Sequence, residues 1–362
     1  MFPKKLGISV YVGKKPLEED LAYISLARKY GFSRIFTCFM FINEDTDEFF
    51  KKVKTVAAHA VKLGFEVFTD VNPTLLKTLG ASYDNLKIFE DLGITGIRLD
   101  EGNSGFEESL ISYSGNLKVE INASNTAKLL DNIVSYQPCL TNILACHNFY
   151  PRRYTGLSEE TFMNTSAAVK KHGIRLAAFV SSQEPNTFFS QDFMEKLPTL
   201  EHHRDLPIIA QAKELFYCGL IDDVIISNAY ASEKDLKSLS QLNKDIITLD
   251  VELAKGVDDF SKEIIMDNLH INRGDTSAFM LRSTLTRVKY KNESIPPFNT
   301  VDIKRGDITI DNDNYDKYKG ELHVALLPMK NYGNVNVVGR VAENDMRLLQ
   351  YIKPWSKFKC KI

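Results

Sequence analysis

No stretch of this chain approaches the roughly 18 uninterrupted apolar residues that a membrane-crossing helix requires. A secretory leader is missing too: two early lysines are followed by an apolar stretch broken by Gly7, Ser9, Gly13 and two further lysines. The expectation is a cytoplasmic protein with no membrane partner. Cysteine is scarce. Cys38, Cys139, Cys146, Cys218 and Cys360 are scattered, odd in number and without a CxxC pair, which excludes a disulfide framework or zinc knuckle and leaves five small apolar residues. Neither sign of charge dominates: 45 Lys+Arg against 47 Asp+Glu give a formal net charge of -2, so no global field draws a nucleic-acid partner. HxH and HExxH patterns are absent, and adjacent His202 and His203 are expected to point apart, so no metal is expected. Without a GxSxG elbow the chain is no triad hydrolase, and without a strand-ending lysine it is no Schiff-base aldolase; no cofactor is implied.

What is present is ordinary globular material, 362 residues with 44% hydrophobic and 25% charged, enough for one large domain and a smaller one. Eight β-branched or aromatic runs read as strands: Leu6–Val12, Ser33–Phe39, Phe65–Asp70, Gly96–Asp100, Leu117–Asn122, Leu140–Cys146, Ile174–Val180 and Asp223–Ser227. Between them, apolar residues recur at helical spacing, most clearly over Leu17–Tyr30, Asp47–Leu63, Ser158–His172 and Leu206–Cys218, and glycines such as Gly31 and Gly64 close the helices. An eightfold β-then-α alternation predicts an α/β fold, a (β/α)8 TIM barrel over residues 1–242. The competing open doubly wound sheet would want a glycine-rich phosphate turn after the first strand, where Gly13-Lys-Lys-Pro16 offers one glycine. Beyond residue 243 the pattern changes to short strands at Ala278–Ser283, Ile308–Ile310, Glu321–Leu327 and Asn336–Val341, with a helix around Asp258–Met266, so residues 243–362 read as a smaller, mostly β domain.

In such a barrel the chemistry sits at the C-terminal ends of the strands. The polar residues there are Ser9 and Tyr11; Asp70 and Asn72; Arg98, Asp100 and Glu101; Glu120, Asn122 and Ser124; His147, Asn148, Tyr150 and Arg152; and Ser227, Asn228 and Tyr230. Residues two apart on a strand share a face, so Arg98 goes with Asp100, and Glu120 with Asn122 and Ser124. Strands about 4.8 Å apart bring Asp100 and Glu120 into the roughly 5 to 9.5 Å range of a glycosidase carboxyl pair, one protonated and one ionised. Two alternatives stay open: a structural Arg98–Glu120 ion pair, and a substrate-assisted site using adjacent Asp100 and Glu101. The loop Cys146-His-Asn-Phe-Tyr-Pro-Arg-Arg-Tyr-Thr-Gly-Leu-Ser158 gathers an imidazole, an amide, aromatic rings and guanidinium groups, the mixture that holds a sugar and an anion. In the long loop after the seventh strand, Thr199, Glu201 and Arg204 are lid or wall candidates. Arg282 to Arg287 offers a phosphate contact or a solvated strand face. A sugar-phosphate isomerase with Asp70 or Glu120 as base, and a non-enzymatic carbohydrate-binding protein, are the competing functions.

Gly96–Asp100, Glu120–Ser124, His147-Asn-Phe-Tyr-Pro-Arg152 with Tyr154-Thr-Gly-Leu157, Leu197–Glu201 and Arg282-Ser-Thr284 together resemble the bacterial 6-phospho-N-acetylmuramidases, essentially along the whole chain. The resemblance implies a barrel followed by a cyclophilin-like β domain. It further implies a small-molecule partner, a phosphorylated disaccharide: the bond between N-acetylmuramic acid 6-phosphate and N-acetylglucosamine would be hydrolysed inside the cell, after phosphorylating uptake of a cell-wall fragment. That family often has an aromatic residue where this chain has Glu101, which favours Asp100 with Glu120 as the catalytic pair. His147, Asn148, Tyr150 and Arg152 would then grip the sugar, with Asp70, Asn122 and Glu201 facing the substrate and Arg98 or Arg282 meeting the phosphate.

Overall fold

The structure, a computed structural model of the chain, describes residues 2–39, 46–99, 104–115, 117–124, 127–189 and 194–362. The chain divides into two compact units, Met1–Leu242 and Asn243–Ile362.

The first unit is a closed barrel of eight parallel strands in sequence order: β1 (Lys5–Ser9), β2 (Arg34–Cys38), β3 (Glu66–Val71), β4 (Gly96–Leu99), β5 (Lys118–Asn122), β6 (Ile143–Cys146), β7 (Arg175–Val180) and β8 (Asp223–Ile226), with β8 pairing back onto β1. The helix Leu17–Lys29 ends at Gly31 and the helix Thr46–Lys62 at Gly64, both glycines at φ near +80° (79° and 84°), a conformation other residues resist; each turns the chain into the next strand. Alternation sorts the side chains. Phe36, Cys146, Ala177, Phe179 and Ile225, from β2, β6, β7 and β8, touch one another inside the barrel together with Tyr11. Residues between them in sequence face the surrounding helices.

Strand tilt separates charge into layers along the barrel axis. At the N-terminal ends Glu66 bridges Lys5 (2.7 Å) and Lys118 (2.5 Å), both strand-opening residues. Just inside lies a second, fully buried group. Arg34 pairs with Glu120 and, at 2.6 Å, with Asp223, which also receives Arg175 Nε at 2.8 Å, and the Arg34 guanidinium lies 4.4 Å from the centre of the Phe68 ring. Gly96 makes room for that ring, because a Cβ there would sit 2.3 Å from it.

The second unit is a seven-stranded sheet of β9 (Ile247–Leu253), β10 (His270–Ile271), β11 (Met280–Ser283), β12 (Asp307–Asp311), β13 (Leu322–Ala325), β14 (Val335–Val341) and β15 (Lys357–Lys361). Its order is β10-β15-β9-β14-β12-β13-β11, antiparallel except for β15 against β9. Leu281, Ile308, Ile310, Leu322 and Val324 are buried. Of these strands β9, β10 and β15 lie outside the sequence expectation, although Ile247-Thr-Leu-Asp-Val-Glu-Leu253 and Lys357-Phe-Lys-Cys-Lys361 both alternate apolar with polar.

Candidate active site

Parallel register sets Asp70 on β3 directly opposite Arg98 on β4. Both point inward near the strand ends, and Arg98 donates to Asp70 Oδ1 at 2.7 Å; they are 6% and 3% exposed. A second guanidinium nitrogen donates to Asn148 Oδ1. The Asn148 amide donates in turn to Ser124 Oγ at 2.8 Å, and the Ser124 amide to Asn122 Oδ1 at 2.8 Å. A continuous polar arc thus runs along the barrel mouth from β3 to just past β6, made of one ion pair, two amides and a hydroxyl. Across from it the wall is aromatic. Phe149 packs edge-on against Phe36, Phe179 and Phe189 at 5.0 to 5.8 Å, and the Tyr11 hydroxyl donates to the Ser227 carbonyl at 2.5 Å. Polar groups on one side and ring faces on the other suit a pyranose, whose hydroxyls and C–H face need both.

Glu120 does not join this arc. It faces the interior, as alternation predicts, and it stands in register with Arg98, but its partner is Arg34 in the buried layer below. The tilt explains the difference. Register-matched residues on successive strands step along the barrel axis, so Asp70, Arg98 and Glu120 form a descending row rather than a ring. The alternative of an Arg98–Glu120 ion pair thus gives way to Arg98–Asp70 and Arg34–Glu120, and Glu120, 0% exposed, lies in the buried layer. Asp100 and Glu101 lie outside the described residues. Arg34 and Asp223, which fix Glu120, were absent from the sequence candidates because both open their strands, at the end away from the chemistry.

His147 is also turned away. Cys146 and Asn148 face inward, so His147 between them faces the helix Glu159–Lys170, where its Nε2 pairs with Ser166 Oγ at 2.8 Å and its ring lies 4.9 Å from Phe162. Burial, with Arg98 nearby, pushes its pKa down to about 3, so the ring is neutral. Through a 3.4 Å contact with Ser124 Oγ it positions the arc from behind and does not grip a ligand.

The loop after β6 is held in shape by two residues the sequence marked as a lid. Glu201 accepts from the amides of Tyr154 and Gly156, both at 2.7 Å, and from Arg204 at 2.6 and 2.8 Å. Arg204, 1% exposed, also donates to the carbonyls of Tyr150, Arg152, Glu195 and Lys196. The Arg204 guanidinium and the two amides hold the Glu201 carboxyl down at about 2. Gly156 permits the approach, since a Cβ there would lie 2.7 Å from Glu201 Oε2. Thr199 adds a bond to the Asn148 carbonyl at 2.9 Å. Glu201 is thus a brace and not a free substrate carboxylate, whereas Arg152 is exposed on the loop it braces and Tyr150 is half-buried there.

Arg282 belongs to the second unit, where its Nε and an outer nitrogen both bind Glu321 Oε1 at 2.8 Å. His202 and His203 do not diverge: both Nε2 atoms converge on Glu214, at 3.1 and 3.0 Å, and among the described residues these three side chains come within metal-ligand reach of one another. The short 3-10 turn Glu201–His203 brings the two rings over one carboxylate, which the imidazoles hold low against the opposing effect of burial. The set reads equally well as a carboxylate shared by two imidazoles.

Comparison with known structures finds a crystal structure of an uncharacterized B. cereus protein, 41% identical over 100% of both chains with a TM-score of 0.93. A conserved protein of unknown function from Enterococcus faecalis is 27% identical over 99% of this chain and 96% of its own, with a TM-score of 0.71. Comparison with curated proteins returns no match. The N-terminal profile of the 6-phospho-N-acetylmuramidases matches residues 6–241 and their C-terminal profile residues 247–361. With a polar arc at the mouth of a closed eight-stranded barrel and both profiles matched in order along its length, this chain belongs to the 6-phospho-N-acetylmuramidase family, glycoside hydrolases of a phosphorylated muramic acid sugar.

Proposed function

We propose that the protein hydrolyses the bond between N-acetylmuramic acid 6-phosphate and N-acetylglucosamine, inside the cell, during turnover of its own cell-wall fragments. The observation that carries this reading is the Asp70–Arg98 pair at the barrel mouth, extended by Asn148, Ser124 and Asn122. Glycoside cleavage needs one carboxylic acid to protonate the leaving oxygen and one ionised carboxylate to support the positive charge that develops at the anomeric carbon. Asp70, ion-paired to Arg98, fills the second role. Asp100, two residues beyond Arg98 in the sequence and outside the described residues, is assigned the first. Asn148 and Asn122 supply amide groups to the sugar hydroxyls and acetamido group. Arg98 is engaged with Asp70, so the exposed Arg152 is the cation assigned to the phosphate.

The test is to incubate the protein with the phosphorylated and the unphosphorylated disaccharide and look for two sugar products by mass spectrometry. Cleavage confined to the phosphorylated substrate is expected. Asp70→Asn and Asp100→Asn should each lower turnover by about 10²-fold or more, in line with the loss of a catalytic carboxyl. Wild-type turnover in Asp70→Asn would remove it from the mechanism. Solvent deuterium in recovered, uncleaved sugar would transfer the site to isomerase chemistry.

A further inference from the structure

A sheet that packs one face into a core normally turns its other face to water. The second unit departs from this. On β12, Thr309 and Asp311 share a face; His323 on β13 stands opposite Thr309, and Arg282 on β11 opposite His323. These side chains form a polar row across three strands, yet Thr309, Asp311 and His323 are 2%, 4% and 7% exposed. They lie at the base of a cleft. Tyr315, Tyr318 and Tyr332 form a partial roof over it, and its volume is about 490 Å³, within the roughly 300–1,000 Å³ range of small-molecule sites. Ile303, Met329 and Val335 form its apolar wall. The roof is unusually wet for aromatic residues: Tyr332 is 84% exposed, with Tyr315 and Tyr318 at 41% and 45%.

The two cations that line the pocket are already engaged. Arg282 is held by Glu321, which is fully buried behind the row, also takes Arg287 at 3.1 Å and lies 3.5 Å from His323, and Lys330 pairs with Asp302 at 3.2 Å. Asp311 is only loosely engaged, with His323 Nε2 at 3.8 Å as its nearest ion-pair partner among the described residues. Burial, with Glu321 nearby, lifts its carboxyl to about 6. A phosphate or carboxylate ligand would meet Asp311 while both lining cations are held by other carboxylates. A neutral ring with several hydroxyls meets what it needs, namely a carboxylate and an imidazole for its O–H groups, a threonine hydroxyl, and tyrosine faces for its C–H surface.

We propose that this pocket, built wholly from residues of the second unit, is a binding site for an uncharged sugar ring, with Asp311 and His323 bonding vicinal hydroxyls and Tyr332 stacking on the ring. The inference does not rest on the hydrolysis proposed above. It is tested on the full chain by saturation-transfer NMR with N-acetylglucosamine, glucose and mannose as probes, and inorganic phosphate as competitor. At least one hexose should show transfer, and Asp311→Asn and Tyr332→Ala should each weaken its binding by about fivefold or more. Tyr332→Ala alters a side chain almost wholly in solvent, so it keeps the test valid if Asp311→Asn fails to fold. Asp70→Asn, in the barrel, should leave this binding unchanged whether or not the protein cleaves any disaccharide. Transfer to none of the three sugars, binding indifferent to Tyr332→Ala, loss in Asp70→Asn, or displacement by phosphate would each overturn the assignment.

Discussion

Replacing Glu201 by Gln keeps the size of the side chain and removes its charge, which isolates what the carboxylate does for the loop after β6. The proton's preference sets one scale. The carboxyl sits at about 2 instead of its ordinary 4.5, and at about 1.4 kcal/mol per tenfold change this gap is about 3 kcal/mol of stability. The contacts give a second scale. Two backbone amides and a guanidinium that is 1% exposed share the carboxylate; hydrogen bonds to a charged group are worth about 1.5–3 kcal/mol each, and a buried cation stripped of its partner costs about 3–5 kcal/mol. Solvent at the side chain's 27% exposed edge lowers these figures, so about 2–3 kcal/mol is expected. Because the folded value is depressed, the stability is present in full above pH 4.5 and is lost as pH falls towards 2. At pH 6, amide hydrogen exchange at Tyr154 and Gly156 should therefore be about 30- to 150-fold faster in Glu201→Gln. Acid melting curves of wild type and variant should converge between pH 4.5 and 2. Exchange within threefold of wild type, or parallel acid curves, would refute the brace.

Other perturbations follow from the same geometry. Gly96→Ala drives a Cβ to 2.3 Å from the Phe68 ring, which is fully buried against Arg34; the variant should lose about 1–3 kcal/mol or more, read as a lower melting temperature by circular dichroism. His147, pushed down to about 3 by burial, should show no ring titration by NMR between pH 8 and 5, and the stability tied to its neutral form is present above pH 6.5 and lost as pH falls towards 3. A ring that titrates near 6.5 would place it in contact with solvent. Asp20, bonded by the Tyr230 hydroxyl at 2.7 Å, has its carboxyl raised by burial to about 6, so its contribution is present below pH 3.8 and lost as pH rises through 6. Asp20→Asn should accordingly melt higher than wild type at pH 8, and an equal or lower melting temperature there would contradict this.

The barrel was legible because its signals are local. Each strand is a short run with its own alternation, and several of the intervening helices have an apolar stripe and a closing glycine. The site was legible only in part, because period two gives the face of a side chain and not its height. Arg98 and Glu120 share the inner face and even a register, yet tilt sends one to the mouth and the other to the buried layer, where Arg34 comes from a strand distant in sequence. Alternation continued one step past β6 would have turned His147 outward, since Cys146 and Asn148 flank it. The histidine pair failed for a different reason: strand-like divergence does not apply in a 3-10 turn, where two long rings can lean towards one carboxylate.

Separating the charges by height also explains how a barrel can hold so many of them. The Arg34–Glu120–Asp223–Arg175 group is formally neutral and is capped by the Phe68 ring, so it fills the interior without projecting a field towards the mouth. Nearer the mouth the aromatic cluster of Phe36, Phe149 and Phe179 forms an apolar wall. Facing it are Asp70 and Arg98, and among the described residues Arg98 also donates to the Asn148 side chain. An ion pair set beside an apolar wall keeps more of its electrostatic strength than one in water. That is the physical ground for assigning the developing charge of glycoside cleavage to Asp70 in the proposed mechanism, whereas Glu120 is already paired with Arg34 in the buried layer.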